Sequence, residues 1–182
     1  MGKLINIDEC LGNLSCVGEF YNSLLDYAFE QADYFMLTWM EYGDEHGVDN
    51  FSKEAYEIQK LLSPYIVKTR SDLHWPGSNP VPMGTCKIIG QVVFYTTAPE
   101  AKQVLKRVSG LFDWVNPDYP QDLAFFKGNK CWFYSVAHEE MASFIRATNE
   151  DIEFLDNHGV DTEYGTYIVD DAVLATYDED SI

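Results

Sequence analysis

At 182 residues, with 46% apolar and 23% charged side chains, the chain is long enough for one domain with its own core, and disorder throughout is excluded. Thirty acidic residues against twelve basic ones give a net charge of −18, which argues against binders of nucleic acid or anionic membranes, since both draw affinity from Lys and Arg. No apolar stretch reaches the ~18 residues of a spanning helix and residues 1–14 lack the layout of a secretory signal, so a cytoplasmic location with reduced thiols is expected.

Residues 1–14 read as an irregular lead-in. A long helix is predicted from Ser15 to Tyr42, because Val17, Phe20, Tyr21, Leu24, Ala28, Ala32, Phe35 and Trp39 follow the three–four spacing of one helical face. Gly43–Asn50 reads as a loop. A second helix is predicted over Ser52–Ser63, with Ser52 as its N-cap, Phe51 and Tyr56 at the positions of a hydrophobic staple and Pro64 at its exit. Tyr65–Lys68 reads as a short strand and Trp75–Met83, with three prolines, as a loop.

Lys87–Thr97 is a strand by its Ile, Val, Phe and Tyr content. Thr97 and Glu100 then have the spacing of a capping box, opening an amphipathic helix along Ala101, Val104, Leu105, Val108, Leu111, Phe112 and Val115. Asp122–Lys127 and Lys130–Ala137 flank Gly128-Asn129, the signature of a two-residue β-hairpin turn. Met141–Ile145 reads as a strand or short helix, Asn149–Asn157 as an acidic helix closed by Gly159, and Tyr164–Val169 as a last strand. Residues 178–182 are expected to fray. The sum is a single α+β domain with an antiparallel sheet of about four strands, covered by an N-terminal helical pair and one amphipathic helix. Within it, 1–66 is an acidic helical segment, 67–146 an α+β core and 147–182 an acidic C-terminal segment.

The stretch from Trp75 to Ile145 resembles a family of small bacterial proteins often named stage III sporulation protein AH-like. The resemblance rests on Trp75-Pro76-Gly77 before a strand, Leu111-Phe112-Asp113-Trp114-Val115 followed by Pro117, Asp122-Leu123 opening a hairpin, and Ser135-Val136-Ala137-His138-Glu139 closing it. Family members carry a longer polar turn where this chain has Gly128-Asn129. The resemblance covers under half the chain and implies a shared fold over that region, without an activity.

His138-Glu139 is the most enzyme-like local feature, since a His beside a carboxylate can act as a general base, with Cys131 the candidate nucleophile. Positions 131 and 138 differ by an odd number, so on one regular strand they point to opposite faces. Cys10, Cys16, Cys86 and Cys131 form no CxxC pair and the histidines complete no zinc spacing. Residues 156–161 depart from the calcium-loop spacing, and glycine patterns for phosphates or dinucleotides are absent. Neither a cofactor nor a metal is expected.

The charge is lopsided. Residues 1–50 carry ten acids and one Lys, residues 51–146 nine acids and eleven bases, and residues 147–182 eleven acids and no Lys or Arg. On the predicted first helix Glu19, Asp26, Glu30, Asp33 and Glu41 fall within an arc of about 80°, over a rise of about 33 Å. Glu150, Asp151, Glu153, Asp156, Asp161, Glu163, Asp170 and Asp171 would add to this stripe if they fold beside it. Tyr27, Tyr34, Tyr42, Tyr164 and Tyr167 lie among the acids, a chemistry suited to Arg- and Lys-rich surfaces.

The reading that follows is a non-enzymatic inhibitor that meets a basic, nucleic-acid-handling protein. Its partner-binding residues are Glu19, Asp26, Glu30, Asp33, Glu41, Glu150, Asp151, Glu153, Asp156, Tyr164, Asp170 and Asp171. The partner would be an RNA-guided nuclease, making the chain anti-CRISPR-like, or a nuclease toxin, making it an immunity protein. An enzyme built around His138, Glu139 and Cys131 is one alternative. A protein whose acidity serves solubility alone is another.

Overall fold

In the computed structural model, which describes residues 1–11, 15–43, 51–72, 74–78 and 87–182, the chain forms one eight-stranded antiparallel sheet. In chain order the strands are β1 (Gly2–Asn6), β2 (Tyr34–Gly43), β3 (Ile66–Asp72), β4 (Lys87–Thr96), β5 (Gln121–Lys127), β6 (Lys130–Val136), β7 (Met141–Ile145) and β8 (Thr166–Val169). Their order across the sheet is β3-β4-β2-β5-β6-β7-β1-β8. The helices are α1 (Ile7–Cys10), α2 (Gly18–Gln31), α3 (Lys53–Leu62), α4 (Pro99–Leu105), α5 (Asn149–Asn157) and α6 (Asp171–Leu174). The expectation of about four strands is therefore wrong; the sheet has twice that number.

Two misread segments account for much of the difference. The helix expected over Ser15–Tyr42 stops at Gln31, and Tyr34–Gly43 is a central strand. Ala32 already has extended dihedrals, φ −105° and ψ 150°, and the amide of Asp33 donates to the Phe126 carbonyl. Phe35 and Trp39 are four residues apart, and residues four apart share a face in a helix and in a strand alike. Here Phe35, Leu37 and Trp39 point to the helical layer while Met36 and Met40 point the other way, so both faces are apolar and the alternation that marks a strand is lost. The other error is the N-terminus. Residues 2–6 form β1, an interior strand between β7 and β8, not an irregular lead-in.

The predicted capping box at Thr97 is also overturned. α4 begins at Pro99 with Ala98 as its N-cap and no side-chain cap. The Thr97 hydroxyl instead donates to the carbonyls of Ala32 and Asp33, at 2.7 and 3.0 Å, which ties the start of β2 to the end of β4. The helix ends at Leu105, well short of Val115. Gly110 takes its place in an extended bridge to Val17, so close that a Cβ there would sit 2.6 Å from the Val17 Cγ1.

Other elements follow local chemistry. The Ser52 hydroxyl accepts from the Ala55 amide to cap α3, and Phe51 meets Tyr56 edge-on at 6.1 Å. The β5–β6 hairpin turns through Gly128 at φ +57°, a conformation glycine adopts without a Cβ penalty. β7 is a strand.

The sheet is covered on both faces. On one lie α2, α3, α4 and α5, packed on Ile5, Phe35, Leu37, Tyr95, Phe125, Phe133 and Phe144. Inside that layer the Trp114 indole donates to the Tyr21 hydroxyl at 2.9 Å, and Tyr21 donates onward to the Leu105 carbonyl at 3.1 Å. The opposite face presents Met36, Met40, Phe94, Phe126, Tyr134 and Ile145, covered by Trp75, Leu174 and Tyr177. Residues 178–182 lie along this second face. Asp178 takes a bidentate contact from Arg146 at 2.8–2.9 Å, Glu179 one from Arg70, and the Ile182 amide donates to Asn129 Oδ1 at 3.0 Å.

Candidate functional site

The acidic residues on α2 and α5 sit on neighbouring helices. α2 is amphipathic, burying Phe20, Tyr21, Leu24, Leu25 and Ala28, and it holds α5 at its flank through stacked rings. Tyr27 lies parallel to Phe154 with centroids 4.3 Å apart and 4° between planes, and Phe20 stacks on the same ring at 6.5 Å. α5 starts with a capping box: the Thr148 hydroxyl accepts from the Asp151 amide, and Asp151 accepts from the Thr148 amide.

Asp151 is the joint of this pair. It is fully buried. Its carboxylate accepts from the Tyr27 hydroxyl at 2.7 Å, the Trp132 indole at 3.3 Å, and the amide and hydroxyl of Thr148 at 2.7 and 2.9 Å. Burial, reinforced by the Asp151 carboxylate, pushes the Tyr27 phenol well above its ordinary range, so Tyr27 keeps its proton and donates. The Thr148-x-x-Asp151 spacing was the sequence signal for this role.

Of the other predicted contact residues, Glu19, Glu30, Glu150, Glu153 and Asp156 are exposed. Neither α2 nor α5 carries a Lys or Arg. Asp26 turns toward α4, where Lys102 and Lys106 reach it at 2.8 and 2.7 Å and hold its carboxyl below the usual range. Asp33 is exposed beyond the helix end and accepts from the Gly128 amide at 2.7 Å. Glu41 lies on β2. The five-acid stripe of one long helix therefore does not exist, because only Glu19, Asp26 and Glu30 are on α2. Tyr164 is 77% exposed. Asp170 caps α6 through the Ala172 amide, and Asp171 binds the Met1 ammonium at 2.6 Å.

Cys131 and His138 do not come together. Cys131 is buried on the second face, where desolvation pushes its thiol well above the ordinary range. His138 lies past the end of β6 in a 3₁₀ turn, exposed, with Nε2 3.6 Å from Glu139. About 17 Å of strand separates residues 131 and 136. Cys10 and Cys16 are also buried free thiols, and desolvation lifts Cys16 to about 12. Cys86 lies outside the described residues. Among the described residues no group of three or more His, Cys, Asp or Glu could hold a metal, and no helix is long and apolar enough to cross a membrane.

Residues of three of the central motifs converge at one point, while Leu111 and Trp114 of the fourth pack in the helical layer. Asp122, fully buried at φ +61°, accepts from the Trp75 indole at 2.7 Å and the Ala137 amide at 2.9 Å. Gly77, at φ +78°, lies so close to Tyr134 that a Cβ would be 2.3 Å from its ring. Burial raises the Asp122 carboxyl. Nothing local in sequence announces a pair 47 residues apart. Beside this node a cleft of about 630 Å³ opens between β3 and the C-terminal segment, lined by Lys68, Arg70, His74, Trp75, Tyr177 and Glu179 among others. Its basic groups are engaged internally, Arg70 by Glu179 and Asp72 and Lys68 by Glu179. No protein-family model, curated protein or solved structure matches the chain.

Proposed function

We propose that the chain is a non-enzymatic acidic inhibitor that docks on the basic, nucleic-acid-handling surface of another protein and occludes it. The observation that carries this reading is the α2–α5 pairing. It joins two helices that carry no cation and expose Glu19 and Glu30 on one and Glu150, Glu153 and Asp156 on the other, while the nearby Lys102 and Lys106 are engaged with Asp26 and Lys127 lies on Gln31 and the Trp132 ring. Opposite charge speeds encounter with a cationic cleft, and exposed tyrosines offer anchors beyond charge. An RNA-guided nuclease, whose heteroduplex channel is positively charged, is the preferred partner. A nuclease toxin presents the same chemistry.

The test is cleavage by each nuclease with the purified protein present, at low and high salt. Inhibition that fades steeply as salt rises is expected. Reversal of Glu19, Glu30 and Glu150 to Lys is expected to weaken it by roughly tenfold or more. Association that ignores both salt and reversal would remove the reading.

A further inference from the structure

The two edges of the sheet are built differently. β3, at one edge, carries Lys68 and Arg70, has a register shift between Ile66 and Lys68, and is straddled by the C-terminal segment. Charges, bulges and coverage of this kind are how proteins blunt an edge. β8, at the other edge, reads Thr-Tyr-Ile-Val and has none of them among the described residues. Ile168 is 66% exposed and Tyr167 44%.

The hydrogen-bond phase of this edge follows from the register. The Asn6 amide donates to the Gly165 carbonyl at 2.9 Å, so in the β1–β8 ladder the pairs Leu4–Tyr167 and Gly2–Val169 are the hydrogen-bonded ones. The Lys3 carbonyl, between them, faces β7 and accepts from Ala147. Thr166 and Ile168 therefore direct their amides and carbonyls away from the sheet, and these have no partner among the described residues.

We propose that the outer edge of β8 receives an extended cationic segment of a partner protein as a ninth strand. The proposal rests on the reading that the partner is a basic protein and gives it a contact geometry. Main-chain bonds to Thr166 and Ile168 supply affinity without sequence preference. Charge selects the occupant: Asp161, Glu163 and Asp170 are exposed at the two ends of the strand. The cations nearby include Lys3, across from Ile168, Arg146, which Asp178 engages, and the amino terminus, which Asp171 holds. A segment alternating Lys or Arg with β-branched residues meets this frame. A second copy of the chain does not, since it would bring another −18 charges to a four-residue contact.

The experiment titrates the whole protein with a short synthetic peptide alternating Lys and Val, followed by amide NMR. Three controls accompany it: the same peptide N-methylated on alternate residues, a Glu–Val peptide, and the variant Ile168→Pro. The variant removes an amide that β1 does not use, so pairing within the sheet survives, and thermal unfolding checks this. The expected result is a shift of the Thr166 and Ile168 amides by the Lys–Val peptide. N-methylation or Ile168→Pro is expected to weaken binding by about tenfold, and the Glu–Val peptide to have no effect. Equal binding of the N-methylated peptide, or shifts confined to α2 and α5, would overturn strand addition while leaving cationic docking intact. Self-association through residues 166–169 would overturn the choice of occupant. Failure of the Lys–Val peptide together with polylysine would remove both readings.

Discussion

Replacing Asp151 with Ala tests whether one buried carboxylate joins the two acidic segments. Four donors converge on it. Thr148 is exposed, so its groups rehydrate and the loss there is that of a helix cap, about 1 kcal/mol. The Trp132 indole is buried and the Tyr27 hydroxyl half-buried, and stranding each costs about 1–3 kcal/mol. The total expected is about 3–7 kcal/mol. Against a typical domain stability of about 5–15 kcal/mol, this lowers the unfolding midpoint by roughly 10–20 °C. Asp151→Asn keeps one acceptor oxygen and is expected to cost about 1–2 kcal/mol. Urea unfolding followed by tryptophan fluorescence measures both, with an unchanged m-value as the sign that only stability moved. A cost for Asp151→Ala below about 1 kcal/mol would refute the assignment, as would equal costs for Ala and Asn.

Three further outcomes follow from the same geometry. Lys102 and Lys106 lower the folded carboxyl of Asp26, so its stabilisation is present above the unfolded value near 3.9 and vanishes as pH falls through the lower folded value. Because that side chain is 49% exposed, Asp26→Asn is expected to cost less than about 1 kcal/mol at neutral pH, and pH-dependent denaturation should show the gap closing in acid. Gly77→Ala combines a positive φ with contact against the Tyr134 ring and is expected to cost about 2–4 kcal/mol, read by thermal unfolding; a neutral effect would contradict that contact. Arg146→Ala removes the bidentate clamp on Asp178 and is expected to raise hydrogen exchange in residues 177–182 by about tenfold, whereas unchanged exchange would show that Glu179 and Leu174 suffice.

The chain's punctuation was readable where one residue type does one job. Ser52 capped its helix, Gly128-Asn129 turned its hairpin, and the acidic run Asn149–Asn157 formed α5. Readings failed where two periods coincide or where a distant partner claims a side chain. Leu4 and Ile5 are buried on opposite faces of the sheet, so β1 offers no alternation and resembles any apolar pair. Thr97 has the spacing of a cap, yet the carbonyls of Ala32 and Asp33, just before β2, hold its hydroxyl across 64–65 residues. Of the acidic residues, sequence revealed the excess but not its division. The same residue type serves as buried joint at Asp151, as paired surface charge at Asp26 and as free surface at Glu30, and only tertiary neighbours distinguish these.

The position of β1 bears on how the molecule is made. Residues 2–6 are synthesised well ahead of both neighbours they need, β7 and β8, which lie more than 130 residues downstream. At about 5–20 residues per second β1 waits roughly 7–30 seconds with Leu4 and Ile5 unshielded. Late closure of so long a loop is entropically slow. The nascent chain therefore carries an early strand that pairs only once β7 is made, and β8 in turn waits on it.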